Sequence, residues 1–254
     1  MLVTPCDTSK ILDQLEKLQQ YVGTIKSEMS PRERLILYAL TLCLNPSRFL
    51  EIGSFEGGSA LIVCSALDTL DNAPGKIFMI DPEFQVSEAT WDRIRHRSTR
   101  IAGESPAALA EAHRLAGGSF DLVLVDGAHD VAAAVSDLVE VYKYVLPGGF
   151  VLVHDHSNLE VRDAVDYVLR QGLYADVGII CDEVFYDGEF HDKGRYQGKK
   201  SFWCGTYLLR RPAESSASTG LGSLLPLLVP PLLMPIVRRL MILLRSLVSP
   251  SGKV

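Results

Sequence analysis

The chain has 254 residues, a formal charge of −6, 47% hydrophobic residues and 22% charged residues. That length carries one large domain or two small ones without a disulfide staple, and that balance excludes a mainly disordered chain. The charge is uneven: up to Leu209 there are 19 Lys and Arg against 30 Asp and Glu, and from Arg210 onward 6 against 1. No basic stripe crosses the acidic body, so a nucleic-acid partner is not expected.

The cysteines Cys6, Cys43, Cys64, Cys181 and Cys204 are odd in number and widely spaced, with no C-x-x-C pair. This pattern argues against a disulfide framework and for a reducing compartment. Met1–Lys10 lacks the apolar core of a secretory signal, so a cytoplasmic location is expected.

Thr8–Tyr21 reads as an amphipathic helix. Ser30-Pro31-Arg32-Glu33 then offers an N-cap, a Pro at the first helical position and a Glu three residues after the cap. The helix it opens is apolar on most sides and ends at Asn45-Pro46. Beyond it strands and helices alternate: strand 48–52, helix 58–70, strand 76–80, helix 88–97, strand 99–102 and a helix opened by Ser105-Pro106. Strand 120–125, helix 131–144, strand 150–153 after Leu146-Pro147-Gly148-Gly149, and helix 161–170 follow. The alternation predicts an α/β fold, a Rossmann-like doubly wound, mostly parallel sheet with helices on both faces. Strands 177–181 and 202–209, joined by the polar segment 182–200, predict an antiparallel last strand reached through a long hairpin loop. The aromatic residues of that loop, Phe185, Tyr186, Phe190 and Tyr196 among them, suit either an acceptor wall or an ordinary hairpin tip.

Ligands of such sheets bind beyond the carboxyl ends of the strands. The first strand ends in Glu51-Ile52-Gly53-Ser54-Phe55-Glu56-Gly57-Gly58-Ser59, a glycine turn leading into a helix N-terminus. Its spacing is not the Gly-x-Gly-x-x-Gly of dinucleotide folds, which disfavours a nicotinamide dehydrogenase. Asp81 ends the second strand, as a ribose acceptor or as a turn residue before Pro82, and beside the glycine turn the nucleoside reading is the better one. Ser105 either faces a base edge or caps the next helix. The fourth and fifth strands end in Asp126-Gly127-Ala128-His129 and His154-Asp155-His156. Asp126 and Asp155 with an imidazole suit Mg²⁺ or Mn²⁺, unless both simply cap helices. His154 reads as packed, His156 as ambiguous. His129, at a helix start, should be mostly neutral and able to accept a proton, the alternative being a surface histidine beside Asp130.

Together these segments resemble the class I S-adenosylmethionine-dependent methyltransferases, and within them the catechol-type and related small-molecule and sugar O-methyltransferases. The resemblance spans Ser30 to Leu209. It implies that Glu51, Gly53 and Ser59 hold the methionine part of the cofactor, Asp81 the ribose and Ser105 the adenine edge, with Ser54, Gly57 and Asp126 also at the cofactor. It implies Asp126 and Asp155 as ligands of Mg²⁺ or Mn²⁺, with His156 where relatives carry Asn or Asp. His129 falls where catechol-type relatives place a lysine base. The expected reaction is methyl transfer to a small-molecule hydroxyl. The alternatives are a metal-independent O- or N-methyltransferase and an inert cofactor-binding partner protein.

The expected organisation is an N-terminal helical extension 1–29, a catalytic domain 30–211, a Ser/Ala-rich linker 212–220 and an apolar basic tail 221–254. Pro226, Pro230, Pro231 and Pro235 interrupt the tail's apolar stretch before Arg238, which argues against a transmembrane helix. Arg238, Arg239 and Arg245 opposite a leucine face suit an anionic membrane surface, or docking onto the domain or a homodimer mate.

Overall fold

A computed structural model describes residues 8–70, 75–184, 188–191 and 194–213. The chain divides into a unit ending at Ala213 and a second unit, Glu214–Val254. The linker from Glu214 and the whole basic tail lie outside the described residues.

Seven strands form the main sheet: β1 (Arg48–Ile52), β2 (Lys76–Asp81), β3 (Ser98–Ala102), β4 (Phe120–Val125), β5 (Val145–Val153), β6 (Ala175–Cys181) and, last in the chain, β9 (Thr206–Arg210). Their order is β3-β2-β1-β4-β5-β9-β6, and only β9 runs antiparallel to its neighbours. The apolar runs at β1, β2 and β4 are the mark of strands buried on both faces. Alternate residues divide between two core layers. Leu50, Ile52, Phe78, Ile80, Val123 and Val125 pack against α5 (Leu109–Ala116), α6 (Val131–Val141) and α7 (Leu159–Arg170). Phe49, Ile77, Met79, Leu122 and Leu124 pack on the other face, under α2 (Pro31–Leu44), α3 (Gly58–Thr69) and α4 (Glu88–Ile94). Each fully buried large side chain contributes about 1.5–3 kcal/mol.

Helix α1 (Thr8–Gly23) and the loop after it belong to the same unit: Val22, Ile25 and Met29 are buried in the second core layer. The loop lies so close to α3 that a Cβ on Gly58 would stand 2.3 Å from the Lys26 carbonyl oxygen. Helix α2 starts with the expected capping box, Ser30 Oγ accepting from the Glu33 N–H and Glu33 Oε2 from the Ser30 N–H at 2.8 Å. Ser30→Ala should therefore cost about 1–2 kcal/mol in urea unfolding; an unchanged midpoint would show that the cap contributes nothing.

Three elements differ from expectation. Leu146-Pro147-Gly148-Gly149 lies inside β5 rather than ahead of it, because Val145 already pairs with Phe120 before a bulge. Ser105 does not cap α5: a turn intervenes, and the N-cap is Ala108, with no side-chain cap bond. The strand expected from Phe202 begins only at Thr206, because Cys204 and Gly205 take left-handed conformations (φ 69° and 87°) and leave the sheet. Strand β9, the antiparallel last strand that was expected, lies between β5 and β6. The segment before it holds a short pair, β7 (Glu189–Phe190) with β8 (Lys200–Ser201). Among the described residues no helix is long and apolar enough to cross a membrane.

Candidate functional site

The strand order reverses between β1 and β4, and a cavity of about 840 Å³ opens beyond their carboxyl ends. Gly53, Ser54, Ser59, Asp81, Asp126, His129 and Asp155 all line it, so the structure brings most of the expected residues together. The α1–α2 loop (Ser27, Glu28, Met29) and Trp203 supply lining that nothing in the sequence marked.

The glycine turn is shaped by protein contacts as much as by any ligand. Gly53 has φ +82°, and a Cβ there would stand 2.0 Å from the Asp126 carbonyl oxygen. Gly57, also left-handed, is the N-cap of α3 and makes no side-chain cap bond, and it is not among the lining residues. The first N–H groups of α3 thus lack a side-chain acceptor, and Gly58 and Ser59 of that turn face the cavity. Glu51 lies fully buried beneath rather than on the wall, where it accepts from Ser59 Oγ, and burial pushes its carboxyl up to about 7.

Asp81 reaches the cavity with both oxygens engaged. Oδ2 accepts from the Ser54 and Phe55 N–H groups and Oδ1 from that of Glu83, each at 2.8 Å. A carboxylate has roughly four acceptor sites, so about one is left for a ribose hydroxyl. The turn role of this residue is thus observed, with acceptor capacity left over. Ser105 is not on the cavity wall; it lies in the turn before α5.

The ends of β4 and β5 carry a chain of ionisable side chains, buried at His154 and Asp155 and half-buried at Asp126 and His129. His129 Nε2 lies 2.8 Å from Asp155 Oδ2. His154 Nδ1 lies 2.9 Å from Asp126 Oδ1 and 3.3 Å from Asp155 Oδ2, and its Nε2 lies 3.4 Å from Glu33 Oε2. Asp155, at φ +53°, also accepts from the Cys204 N–H, and Trp203 meets the His129 ring edge-on at 5.1 Å. Glu33 was legible only as a capping residue; its second role is set by the packing of α2, which no local pattern reports.

Burial opposes a charged ring at His129 and His154, yet the facing carboxylates raise both above the ordinary histidine value, His154 well above it. The helix start was expected to favour the neutral ring of His129; the shift runs the other way, because Asp155 favours the charged ring. Burial also disfavours the Asp155 anion, but the charge of His154 and the bonds from both imidazoles hold it well below the usual carboxylate range. Asp126 moves up, chiefly through burial.

These directions fix a pH dependence of the metal-free protein. The stabilisation from His129 and His154 is complete below about pH 6.5 and is lost as pH rises through their folded values. That of Asp155 is present above about pH 4 and lost on acidification. Glu51, raised from 4.5 to about 7, adds a slope of the histidines' sign below about pH 7 only. Urea midpoints should thus fall between about pH 7.5 and 8.5, and fall less in His154→Gln. An equal fall in the variant would remove His154 as the source.

Asp126, His154 and Asp155 offer donor atoms within 4.8 Å of one another. The two carboxylates fit a hard divalent cation. His154 has both ring nitrogens facing carboxylates, so Asp126 and Asp155 would be the protein ligands of a cation held here. His156 does not join them. It stacks on Tyr207 at 4.6 Å, and burial together with Arg162 pushes it down to about 4. The segment 182–200 contributes Glu189 to the wall, whereas Phe190 is exposed and Tyr196 bonds to Asp163. Phe185 and Tyr186 lie outside the described residues.

Residues 50–156 match the family model of a methyltransferase domain. Among solved structures, the O-methyltransferase from Bacillus cereus in complex with SAH is similar, with 12% identity, TM-score 0.54, 83% of this chain covered and 94% of that one. The O-methyltransferase TomG from Streptomyces achromogenes, involved in tomaymycin synthesis and in complex with SAM, shares 18% identity at TM-score 0.54, over 83% and 92% of the two chains. Cofactor-bound Rv0187 from MTB shares 17% at TM-score 0.51, over 84% and 100%. At these identities the likeness establishes the fold. A sequence search of curated proteins finds no match.

Proposed function

We propose that this chain, whose residues 50–156 match the family model of a methyltransferase domain, is an S-adenosylmethionine-dependent O-methyltransferase acting on a small-molecule hydroxyl. One observation carries the reading: the uncapped start of α3 and the His129–Asp155 pair open into the same cavity. The α3 N–H groups suit the cofactor's carboxylate, and the remaining acceptor site of Asp81 suits a ribose hydroxyl. Solved structures of the same fold in complex with SAM or SAH support a cofactor of this kind.

The cofactor supplies the methyl group on a sulfonium, and transfer to an acceptor oxygen is an in-line displacement. The cavity walls set that alignment, which is the main source of rate. His129 takes the acceptor's proton. Its Nε2 faces Asp155, so Nδ1 is the nitrogen left for the proton, and Asp155 stabilises the imidazolium that forms. Trp203 fixes the ring against rotation. A divalent cation held by Asp126 and Asp155 would lower the pKa of the acceptor hydroxyl.

A second reading, metal-independent transfer, is favoured by His129 and His154, which already meet both carboxylates. Methyl transfer from labelled S-adenosylmethionine to a panel of catechols, phenols and sugars tests both. Activity lost in chelator and restored by Mg²⁺ or Mn²⁺ supports the cation. Full activity in excess chelator leaves the two imidazoles alone, and no transfer to any hydroxyl acceptor would contradict the O-methyltransferase reading.

A further inference from the structure

A second cluster of donor groups lies apart from the cavity lining, between α3 and the end of α4. Cys64 and Asp68 stand one turn apart on α3, on one face of the helix, and His96 follows α4. Cys64 Sγ lies 3.7 Å from Asp68 Oδ2 and 3.8 Å from His96 Nε2, and His96 Nε2 lies 3.1 Å from Asp68 Oδ1. One donor atom from each residue falls within 4.8 Å of the other two. At ordinary bond lengths a tetrahedral Zn²⁺ spaces a thiolate about 3.6 Å from its nitrogen and oxygen ligands, and those two about 3.3 Å from each other. Taken to the nearer Asp68 oxygen in each case, Oδ2 for Cys64 and Oδ1 for His96, the observed spacings are close to these lengths before any ion is added.

The surroundings suit the assignment. Arg97 Nε donates to Asp68 Oδ1, and its other nitrogens donate to the Gly75 and Leu67 carbonyls. This anchors one carboxylate oxygen, orients the other toward Cys64, and offsets part of the guanidinium charge. Outer partners of this kind commonly orient ligating carboxylates. Cys64 is buried, whereas the side chains of Asp68 and His96 are 45% and 51% exposed, so the cluster has a way in from solvent. A thiolate, an imidazole and a carboxylate together favour zinc over the hard cations suited to Asp126 and Asp155.

We propose that Cys64, Asp68 and His96 form a Zn²⁺ site with three protein ligands and a water in the fourth position. On binding, the Zn–S bond forms as the Cys64 thiol releases its proton to solvent, while neutral His96 and ionised Asp68 each donate a lone pair. Nothing is oxidised or reduced. The ion ties α3, whose N-terminus faces the cavity, to the turn that leads into β3.

The test is Co²⁺ titration of the metal-stripped full chain, followed by displacement with Zn²⁺. One equivalent should give a thiolate-to-cobalt charge-transfer band, which an all-oxygen site at Asp126 and Asp155 cannot produce. The band should vanish in Cys64→Ser and persist in Cys204→Ser, which probes the other cysteine near a histidine and a carboxylate. His96→Ala, at a half-exposed position that tolerates substitution, should weaken Zn²⁺ binding at least about tenfold. It should also abolish the rise in Tm that Zn²⁺ gives the unaltered chain. No band in the unaltered chain, a band that survives Cys64→Ser, or unchanged affinity in His96→Ala would overturn the site.

Discussion

His129→Ala is expected to lower turnover about 100- to 10,000-fold, the usual contribution of a positioned base, with little change in cofactor affinity. The separation follows from placement. His129 projects from the end of β4 beside Asp155 and Trp203, whereas the cofactor's carboxylate is assigned to α3. Because Asp155 raises His129, the neutral ring that accepts a proton becomes available only as pH climbs past the ordinary histidine value. The rate should therefore rise with pH above about 6.5, and that limb should disappear in the variant. Rates measured at saturating cofactor, with binding followed separately by calorimetry, decide it. Unchanged turnover would remove His129 from the chemistry, and an equal loss in binding would make it part of the cofactor site instead.

Gly53→Ala should be the most damaging small substitution. A methyl group there meets the Asp126 carbonyl oxygen at 2.0 Å, in a left-handed conformation that L-residues rarely adopt. Neither partner yields easily, because Asp126 donates its N–H to Ile52 and Gly53 donates its N–H to Ile80. The turn must move off the end of β4, at a cost of roughly 2–4 kcal/mol. The same movement would pull Ser54 and Phe55 from Asp81, so cofactor binding should be lost even at temperatures where the variant stays folded. Unfolding curves paired with cofactor titration measure both effects. Near-native stability and affinity would mean the turn is far more pliant than its contacts imply.

Much of the architecture was legible because central parallel strands are apolar throughout while their helices carry caps and stops. Ser30-Pro31-Arg32-Glu33 and the runs at β1, β2 and β4 are local signals that tertiary packing did not overrule. Non-local features were not legible. The place of β9 between β5 and β6 depends on pairing partners rather than on its own residues. Ser105 had the right residue type for a cap but lies a turn too early.

In the site, Asp126, His129 and Asp155 were readable because strand ends point to one edge of a parallel sheet. His156 was misplaced because Asp155 adopts φ +53°, and the next side chain leaves toward Tyr207. Glu33 reaches His154 across 121 positions of sequence, and Trp203 reaches His129 from a loop with no periodicity. The helix-start argument for His129 failed for a related reason: it weighed a weak local field and had no view of a carboxylate 26 residues away.

The most direct test is calorimetric titration of the full chain with S-adenosylhomocysteine, alongside NAD and the Gly53→Ala variant. One equivalent of S-adenosylhomocysteine bound by the unaltered chain, none by the variant, and no response to NAD is the predicted result. Binding of NAD without S-adenosylhomocysteine, or equal S-adenosylhomocysteine binding by the variant, would contradict the assignment of this cavity.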